Sequence, residues 1–549
     1  MNPPRGGATG ESRAVVRQTG LTSLVATVAI GSGLLLDLVV AASYGADTDT
    51  DAFVVAARLP LAMTAILMVL GNQVLVPSVA TWRTTRTTHQ SHRLTATLLL
   101  GGLLVTTAIA GLLFLTAPWL MRVIGAGFAP SERSLAVQLS QVMVLMIPLT
   151  ALSEILRAWL NAHHYFVVPA GMTLVLNLVT AGIVLTAGLA RDNSDIHLLP
   201  VAFVAGAAVQ ALTMLAFAVW KGLRLARPAP RDPEAAHLAR LMVHPTTGAA
   251  LNPLARVAET AMMTVLVPAT GAVTVIYFAN RLVSAVGGTV LFRSVMIALL
   301  PRLTRAHAQP GADPAAFAHL TRMGVRLMLV IALPLTALGM VLAAPASQAL
   351  YDHGKFTSSD AALLGAALVV YALSFAGSGI QRALLAPYYA MRNTRVPLRN
   401  TVYGVGANLV LLVVLLVLAD RFGEGDLLPV LAVAAAYSLS QYVHVAQAWY
   451  RLRKDTDIDF TPLRASLIRS TAAALAGGAA AAVIVLGAQA LLPDQTVWWA
   501  TLALVLISSL VGVATAAAVE LTDPKVRPLL VTRLGRRHPT MPEGGDLTP

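Results

Sequence analysis

The chain has 549 residues, of which 56% are hydrophobic and only 12% charged, with 39 basic residues against 26 acidic ones and no cysteine. A soluble globular chain carries roughly 25% charged residues, so a soluble multidomain protein is excluded, and the missing thiols exclude disulfides, thiolate catalysis and cysteine-based zinc sites. The net charge of +13 does not mark a nucleic-acid binder, because the basic residues are spread over one side of a membrane with no stacking-aromatic groove.

Residues 1–20 are predicted to form a cytoplasmic N-terminal segment. The first apolar run, Leu21 to Tyr44, is too long for a signal peptide, and an acidic cluster follows it instead of a small-residue cleavage site, so it reads as the first spanning helix. Apolar stretches of about 20 residues, each long enough to cross a bilayer, then recur along the chain. The predicted spans are 21–45, 52–80, 94–118, 134–161, 165–189, 198–220, 244–269, 272–301, 318–346, 360–390, 396–419, 427–450, 466–491 and 497–520. Only helices and closed barrels satisfy backbone polar groups in lipid, and runs this long favour helices. The predicted fold class is therefore all-α, a polytopic membrane protein of about 14 transmembrane helices.

Basic residues mark the loops alternately. Twenty-nine of the 39 fall on the side that holds both termini and five on the other, which the positive-inside rule reads as a cytoplasmic location for both ends. The longest loop between spans is basic and contains Pro228, Pro230 and Pro233. It divides an N-lobe (21–222, six helices) from a C-lobe (244–451, six helices) through a cytoplasmic linker, 223–243. Two further helices occupy 466–520, and 521–549 reads as a disordered basic cytoplasmic tail facing anionic lipid.

Local motifs do not support a soluble chemistry. Asp47-Thr48-Asp49-Thr50-Asp51 begins like a calcium loop, but Ala52 stands where glycine is needed and Arg58 where the closing glutamate belongs. It reads better as an acidic outer loop with Asp51 near a helix start. Gly354-Lys355-Phe356-Thr357 lacks the upstream glycine and the hydroxyl of a nucleotide-binding loop, and no HExxH is present. No enzymatic activity, metal or organic cofactor is expected.

The remaining five basic residues lie inside spans: Arg58, Arg256, Arg281, Arg293 and Arg382. Charges facing lipid cost several kcal/mol, so these should face a protein interior or a wet cavity. Arg256 and Glu259 are three apart on the seventh helix and share a face. Asp37 lies on the first. The helices that carry most of these charges are the first, second, seventh and eighth, the leading pair of each lobe. Arg293 could reach cytoplasmic headgroups instead, and Arg382 has a structural alternative near the inner end of its helix. A cationic cavity suits a phosphate or pyrophosphate, which arginine grips bidentately.

Several segments resemble one family. Tyr44-Gly45-Ala46, Asp51-Ala52-Phe53 and Arg58-Leu59-Pro60 are similar to the [FY]GA…TDAF…[RK]LPN segment of MurJ/MviN lipid II flippases, members of the multidrug/oligosaccharidyl-lipid/polysaccharide exporter superfamily. Tyr277-Phe278-Ala279-Asn280-Arg281-Leu282 resembles YYADRL, and Leu300-Pro301-Arg302-Leu303 resembles the LLPSL that follows it. Gly354-Lys355-Phe356-Thr357 resembles an outer GKFT loop. Ala386-Pro387-Tyr388-Tyr389-Ala390 with Asn393-Thr394-Arg395-Val396-Pro397 resembles APxFYAxxDTxTP. The resemblance implies two six-helix lobes around a central cavity. The two C-terminal helices would then border a groove for a polyprenyl tail. The resemblance and the intramembrane charges together mark Arg58, Arg281, Arg256 and Asn280 as substrate-binding, and Asp37, Glu259 and Asp51 as ion-coupling or cavity acids, with Arg256 and Glu259 at positions that are usually apolar in the family. Sodium or a proton would serve as coupling ion. The implied partners are a lipid-linked anionic substrate, membrane lipids and cell-wall synthesis proteins.

The departures are equally specific. The family's RxxGxxRD becomes Ile30-Gly31-Ser32-Gly33-Leu34-Leu35-Leu36-Asp37, and LPNLLRRxFAEGA becomes Leu59 through Gly71 without its arginines. Arg58 and Arg281 are kept. Three readings follow: a flippase for a polyprenyl-pyrophosphate-linked glycan, an exporter of a small molecule on the same fold, or a non-transporting membrane scaffold for cell-wall synthesis.

Overall fold

The structure is a computed structural model describing residues 7–190, 195–224, 226–267, 269–287, 292–308, 313–422, 425–491 and 498–522. Twelve helices among them are long and apolar enough to cross a membrane. They comprise α1 (Gly7–Tyr44); α2 (Thr48–Leu70) running through a π-helical turn into α3 (Val76–Thr85); α4 (Thr88–Ile124); α5 (Pro130–Met143) with α6 (Met146–Ala162); α7 (Val167–Ala190); and α8 (Leu198–Trp220). Before the next of these come α9 (Pro233–Leu266) and the broken pair α10 (Ala272–Ala285) and α11 (Phe292–Ala308), which fill the seventh and eighth predicted spans. The rest are α12 (Pro314–Tyr351); α13 (Ser358–Ala372) with α14 (Ser374–Ala390); α15 (Arg395–Phe422); α16 (Leu427–Asp455); α17 (Leu463–Leu491); and α18 (Trp498–Leu521). The 521–549 tail lies outside the described residues beyond Thr522, as do residues 1–6 of the N-terminal segment.

Caps and prolines explain where helices start and break. Asp47, Thr87 and Thr357 open α2, α4 and α13 with reciprocal capping boxes to Thr50, Gln90 and Asp360. The α5–α6 break falls four residues before Pro148, which has no N–H to return to the Val144 carbonyl; Ile147 N takes that carbonyl instead at 3.1 Å. Helix α1 begins at Gly7, inside the predicted 1–20 segment, and a second boundary also differs from expectation. The seventh helix begins at Pro233, inside the predicted 223–243 linker, because Asp232 caps it and Pro233 occupies its first turn. Trp82 Nε1 donates to Glu234 Oε1 at 3.2 Å and Arg86 lies 3.6 Å from the same carboxylate, so the start of α9 is moored to α3.

Helices α1–α8 pack mainly on one another and α10–α16 likewise, α9 bridges the two groups by packing on α2 and α4 as well as on α15, and α17 and α18 lie against α12. Leu338 and Leu342 of α12 bury against Ala481 and Val485 of α17. One large apolar core nevertheless joins α1, α2, α10, α12 and α13, so the two lobes share an interior. The lobes meet most closely at the face assigned to the outside. There Lys355 N donates to Ala42 O at 2.9 Å, and Thr264 Oγ1 donates to Ile124 O at 2.8 Å. Glycine permits this approach. Gly354 and Gly271 both have positive φ, +64° and +78°, and a Cβ on them would stand 2.2 Å from Ala42 O and 2.3 Å from Ala46 O.

Gly354→Val is therefore expected to lose about 1–3 kcal/mol from φ strain alone, before any clash, and to lower the thermal unfolding midpoint of the purified protein. Gly406→Ala, at a helical glycine with nothing within 4 Å of its Cβ position, should leave that midpoint unchanged or raise it.

Candidate substrate cavity

Helices α2 and α10 come from different lobes and meet side by side. On α2, Asp51 and Arg58 are seven residues apart and share a face; on α10, Thr274 and Arg281 are also seven apart. The helix α10 starts at Gly271, which has no side chain to cap it. Asp51 supplies the cap from the other lobe. Its Oδ2 accepts from Gly271 N at 2.9 Å, and its Oδ1 accepts from Thr274 N at 2.8 Å and Thr274 Oγ1 at 2.6 Å. The carboxylate satisfies orphan N–H groups and sits at the positive end of the helix dipole. Asp51 is thus a latch between lobes, not part of the cavity lining seen at Asp37.

Two turns inward, roughly 10 Å at 1.5 Å per residue, the same two helices bring arginines together. The Arg58 guanidinium lies 5.2 Å from the centre of the Tyr277 ring and that of Arg281 lies 5.7 Å from it. Tyr277 precedes Arg281 by four residues, one helical turn. Arg281 Nε donates to Asp37 Oδ2 of α1 at 2.8 Å, an ion pair across the lobes, with the Asp37 side chain only 6% exposed. Arg58 has no ion-pair partner among the described residues, and its buried Nε has no hydrogen-bond partner. Beside this pair, α1, α7 and α10 enclose a cavity of about 310 Å³ lined by Gly33, Asp37, Asn177, Asn280, Arg281 and Ser284. Asn177 Nδ2 donates to Ser32 Oγ at 2.9 Å, and Asn280 Nδ2 is buried without a partner.

Arg256 and Glu259 do pair, Nη1 to Oε2 at 2.8 Å, with Glu259 6% exposed. The guanidinium of Arg256 lies 4.7 Å from the centre of the Tyr437 ring, and Tyr437 lies 5.5 Å from Tyr371, whose buried hydroxyl has no partner. This second cluster belongs to the C-lobe. A small pocket beside it reaches Asn408, Gln441 and His444. Behind it, Asn400 accepts from Gln381 at 2.7 Å and donates to the His444 carbonyl at 2.8 Å. Arg293 lies among residues whose side chains are outside the description. Arg382 lies 5.8 Å from the Phe292 ring.

Sequence reasoning gave no role to Tyr277, whose ring faces Arg58 and Arg281, to Asn177, which lines the main cavity, to Tyr437, which lines the small pocket, or to Tyr371, which packs against Tyr437. Only Tyr277 carried a local signal, its one-turn spacing from Arg281.

Residues 40–509 match the family described as lipid II flippase MurJ. The chain belongs to the MurJ family. The probable lipid II flippase MurJ of Vibrio cholerae serotype O1 is 24% identical over 415 residues, covering 73% of this chain and 77% of that protein. The lipid II flippase MurJ of Burkholderia cenocepacia is 24% identical over 408 residues, covering 70% and 75%. A solved lipid II flippase MurJ in an inward closed conformation superposes with a TM-score of 0.74 at 17% identity, covering 93% of this chain and 99% of that one. An inward-facing multidrug resistance transporter of the MATE family superposes at 0.63, with 13% identity over 77% of this chain and 94% of that one. The fold is thus one shared with these solved MurJ and MATE structures, a multi-pass membrane protein built of helices.

The MurJ-type arrangement makes the latch testable. In this cysteine-free chain, Ser284→Cys places one thiol on the cavity wall. Adding Asp51→Ala removes three hydrogen bonds from the outer seam, and should speed labelling of that thiol by an impermeant reagent applied outside cells. Unchanged labelling would mean that Asp51 does not hold the outer side shut.

Proposed function

We propose that this MurJ-family chain carries a polyprenyl-pyrophosphate-linked glycan of the lipid II kind from the inner to the outer leaflet, by alternating exposure of the cavity between its lobes. The observation that supports this most is Arg58, a buried guanidinium with an unpartnered Nε, held beside Arg281 on the two faces that meet across the lobes. A lone charge in a membrane interior is costly, and a ligand's diphosphate would relieve the cost by taking the free donors bidentately. Both carboxylates near the arginines are already paired inside the protein, which leaves Arg58 as the charge most in need of a counterion.

The relatives named as lipid II flippases favour this reading over export of a small molecule and over a scaffold role. The polar part would enter from the cytoplasmic side while the outer seam is closed. Rocking of the lobes would then open the seam. The driving force can be electrical: moving one charge through the membrane potential is worth about 2.3 kcal/mol per 100 mV. No step needs a covalent intermediate, so the chain acts as a carrier and not as an enzyme. With both termini in the cytoplasm of a bacterium, as the basic loops suggest, the inner membrane is its site. Cell-wall synthesis proteins are the natural partners at the exit side.

The test is complementation of a bacterium depleted of its essential lipid II flippase. The chain should restore growth. Arg281→Ala should abolish rescue at normal membrane abundance, and Arg281→Lys should recover part of it, since lysine lacks the planar fork. Failure of the parent chain to rescue, with export of an unrelated small molecule detected, would favour the second reading. Full rescue by Arg281→Ala would remove Arg281 from the substrate site.

A further inference from the structure

The ion pair between Asp37 and Arg281 does more than neutralise two charges. It ties α1 of one lobe to α10 of the other, inside the cavity that the substrate must enter. Among the described residues Asp37 has a single hydrogen-bond partner, the Arg281 Nε. The guanidinium is not exhausted by that contact. Its Nη2 lies 3.4 Å from the point where a Cβ on Gly33 would stand, and Asn177 Nδ2 lies 3.5 Å from the same point. Asn280 Nδ2, on the same cavity wall, is buried and unpartnered. Donors from α7 and α10 therefore border the hollow at Gly33, and among the described residues the only acid there is Asp37.

We propose that Asp37 is an internal stand-in for the substrate's phosphate, which displaces it from Arg281 and leaves it to take up one proton. The inference rests on the anionic-substrate reading above. The exchange balances. A diphosphate oxygen accepts the Arg281 hydrogen bonds, the Asp37 carboxylate is released, and a proton from cavity water binds its Oδ2. The proton uptake follows from burial. With the guanidinium turned to the substrate, a carboxylate that is 6% exposed has no remaining partner, and a buried unpaired carboxylate neutralises rather than stay charged. Among the described residues no other group nearby can do this instead. The charged or titratable groups facing Asp37 are Arg281 and Tyr277 of α10 and Tyr351 of α12, and α7 offers only the uncharged Asn177 and Thr173. Phenols ordinarily titrate near pH 10 and guanidinium above about 12. When substrate leaves, the proton leaves with the re-formation of the pair.

The experiment uses the purified full chain in detergent and a polyprenyl-pyrophosphoryl N-acetylglucosamine, a diphosphate diester with no titrating proton near neutral pH. Binding is followed by calorimetry in buffers of different ionisation enthalpy, which counts protons. The unmodified chain should take up about one proton per probe bound, and its affinity should fall by as much as about tenfold per unit rise in pH over part of the range between about pH 5 and 8. Asp37→Asn should bind with no proton uptake, show a flat profile, and bind more tightly than the parent at the high end. Asp37→Glu should keep both the uptake and the slope. Binding by the parent without proton uptake, or the same slope in Asp37→Asn, overturns the proposal even if Asp37→Asn is the only variant to accumulate poorly, because the parent's proton count stands by itself. No binding of the probe by the parent overturns the anionic-lipid reading and this proposal with it.

Discussion

One carboxylate sets the geometry on which the rest depends. Helix α10 begins at a glycine and cannot cap itself, and Asp51 of α2 satisfies its first turn from the other lobe. A buried acid with three donors resists removal, since the N–H groups left behind would be orphaned where water is scarce. The cap also fixes register. With Asp51 on Thr274, Arg58 falls opposite Tyr277, and Arg281 falls within reach of Asp37. A slip of one residue along α2 would turn Arg58 away from the Tyr277 ring by about 100°.

The arginines of the cavity differ in how they are balanced. Arg281 and Arg256 each hold a carboxylate, one across the lobes and one within the C-lobe, whereas Arg58 has only aromatic company. Tyrosine faces give part of the stabilisation that a counterion would give, of order 0.5–2 kcal/mol per contact, without spending the guanidinium's hydrogens. An arginine kept in this way stays available to a ligand. The family's usual first-helix arginines are absent, and the first-helix acid remains to hold the one on α10.

Much of this was legible from residues. The spans were visible from apolar length, and the Arg256–Glu259 pair from three-residue spacing on one helix. The rest was not, because its cause is long-range. Asp51 and Gly271 are 220 positions apart, and Asp37 and Arg281 are 244 apart. No local pattern reports which lobe an acid faces. Asp51 read as a first-turn residue of its own helix, and it is one, behind the Asp47 cap, but nothing local shows that its side chain also caps α10 of the other lobe. The early start of α9 was missed for the opposite reason. Asp232 and Pro233 are a good helix opening, but the charged turn that follows them reads as loop when span is judged by hydropathy.

The account's central claim is that the outer seam must open for the cavity arginines to deliver their cargo. The chain has no native cysteine, so Ala42→Cys with Lys355→Cys gives one possible disulfide, placed where the two backbones already hydrogen-bond at 2.9 Å. In reconstituted vesicles, translocation of a lipid-linked pyrophosphoryl sugar should stop on oxidation and resume on reduction, while binding of the same lipid from the inner side persists. Translocation that continues in fully oxidised vesicles would contradict the account.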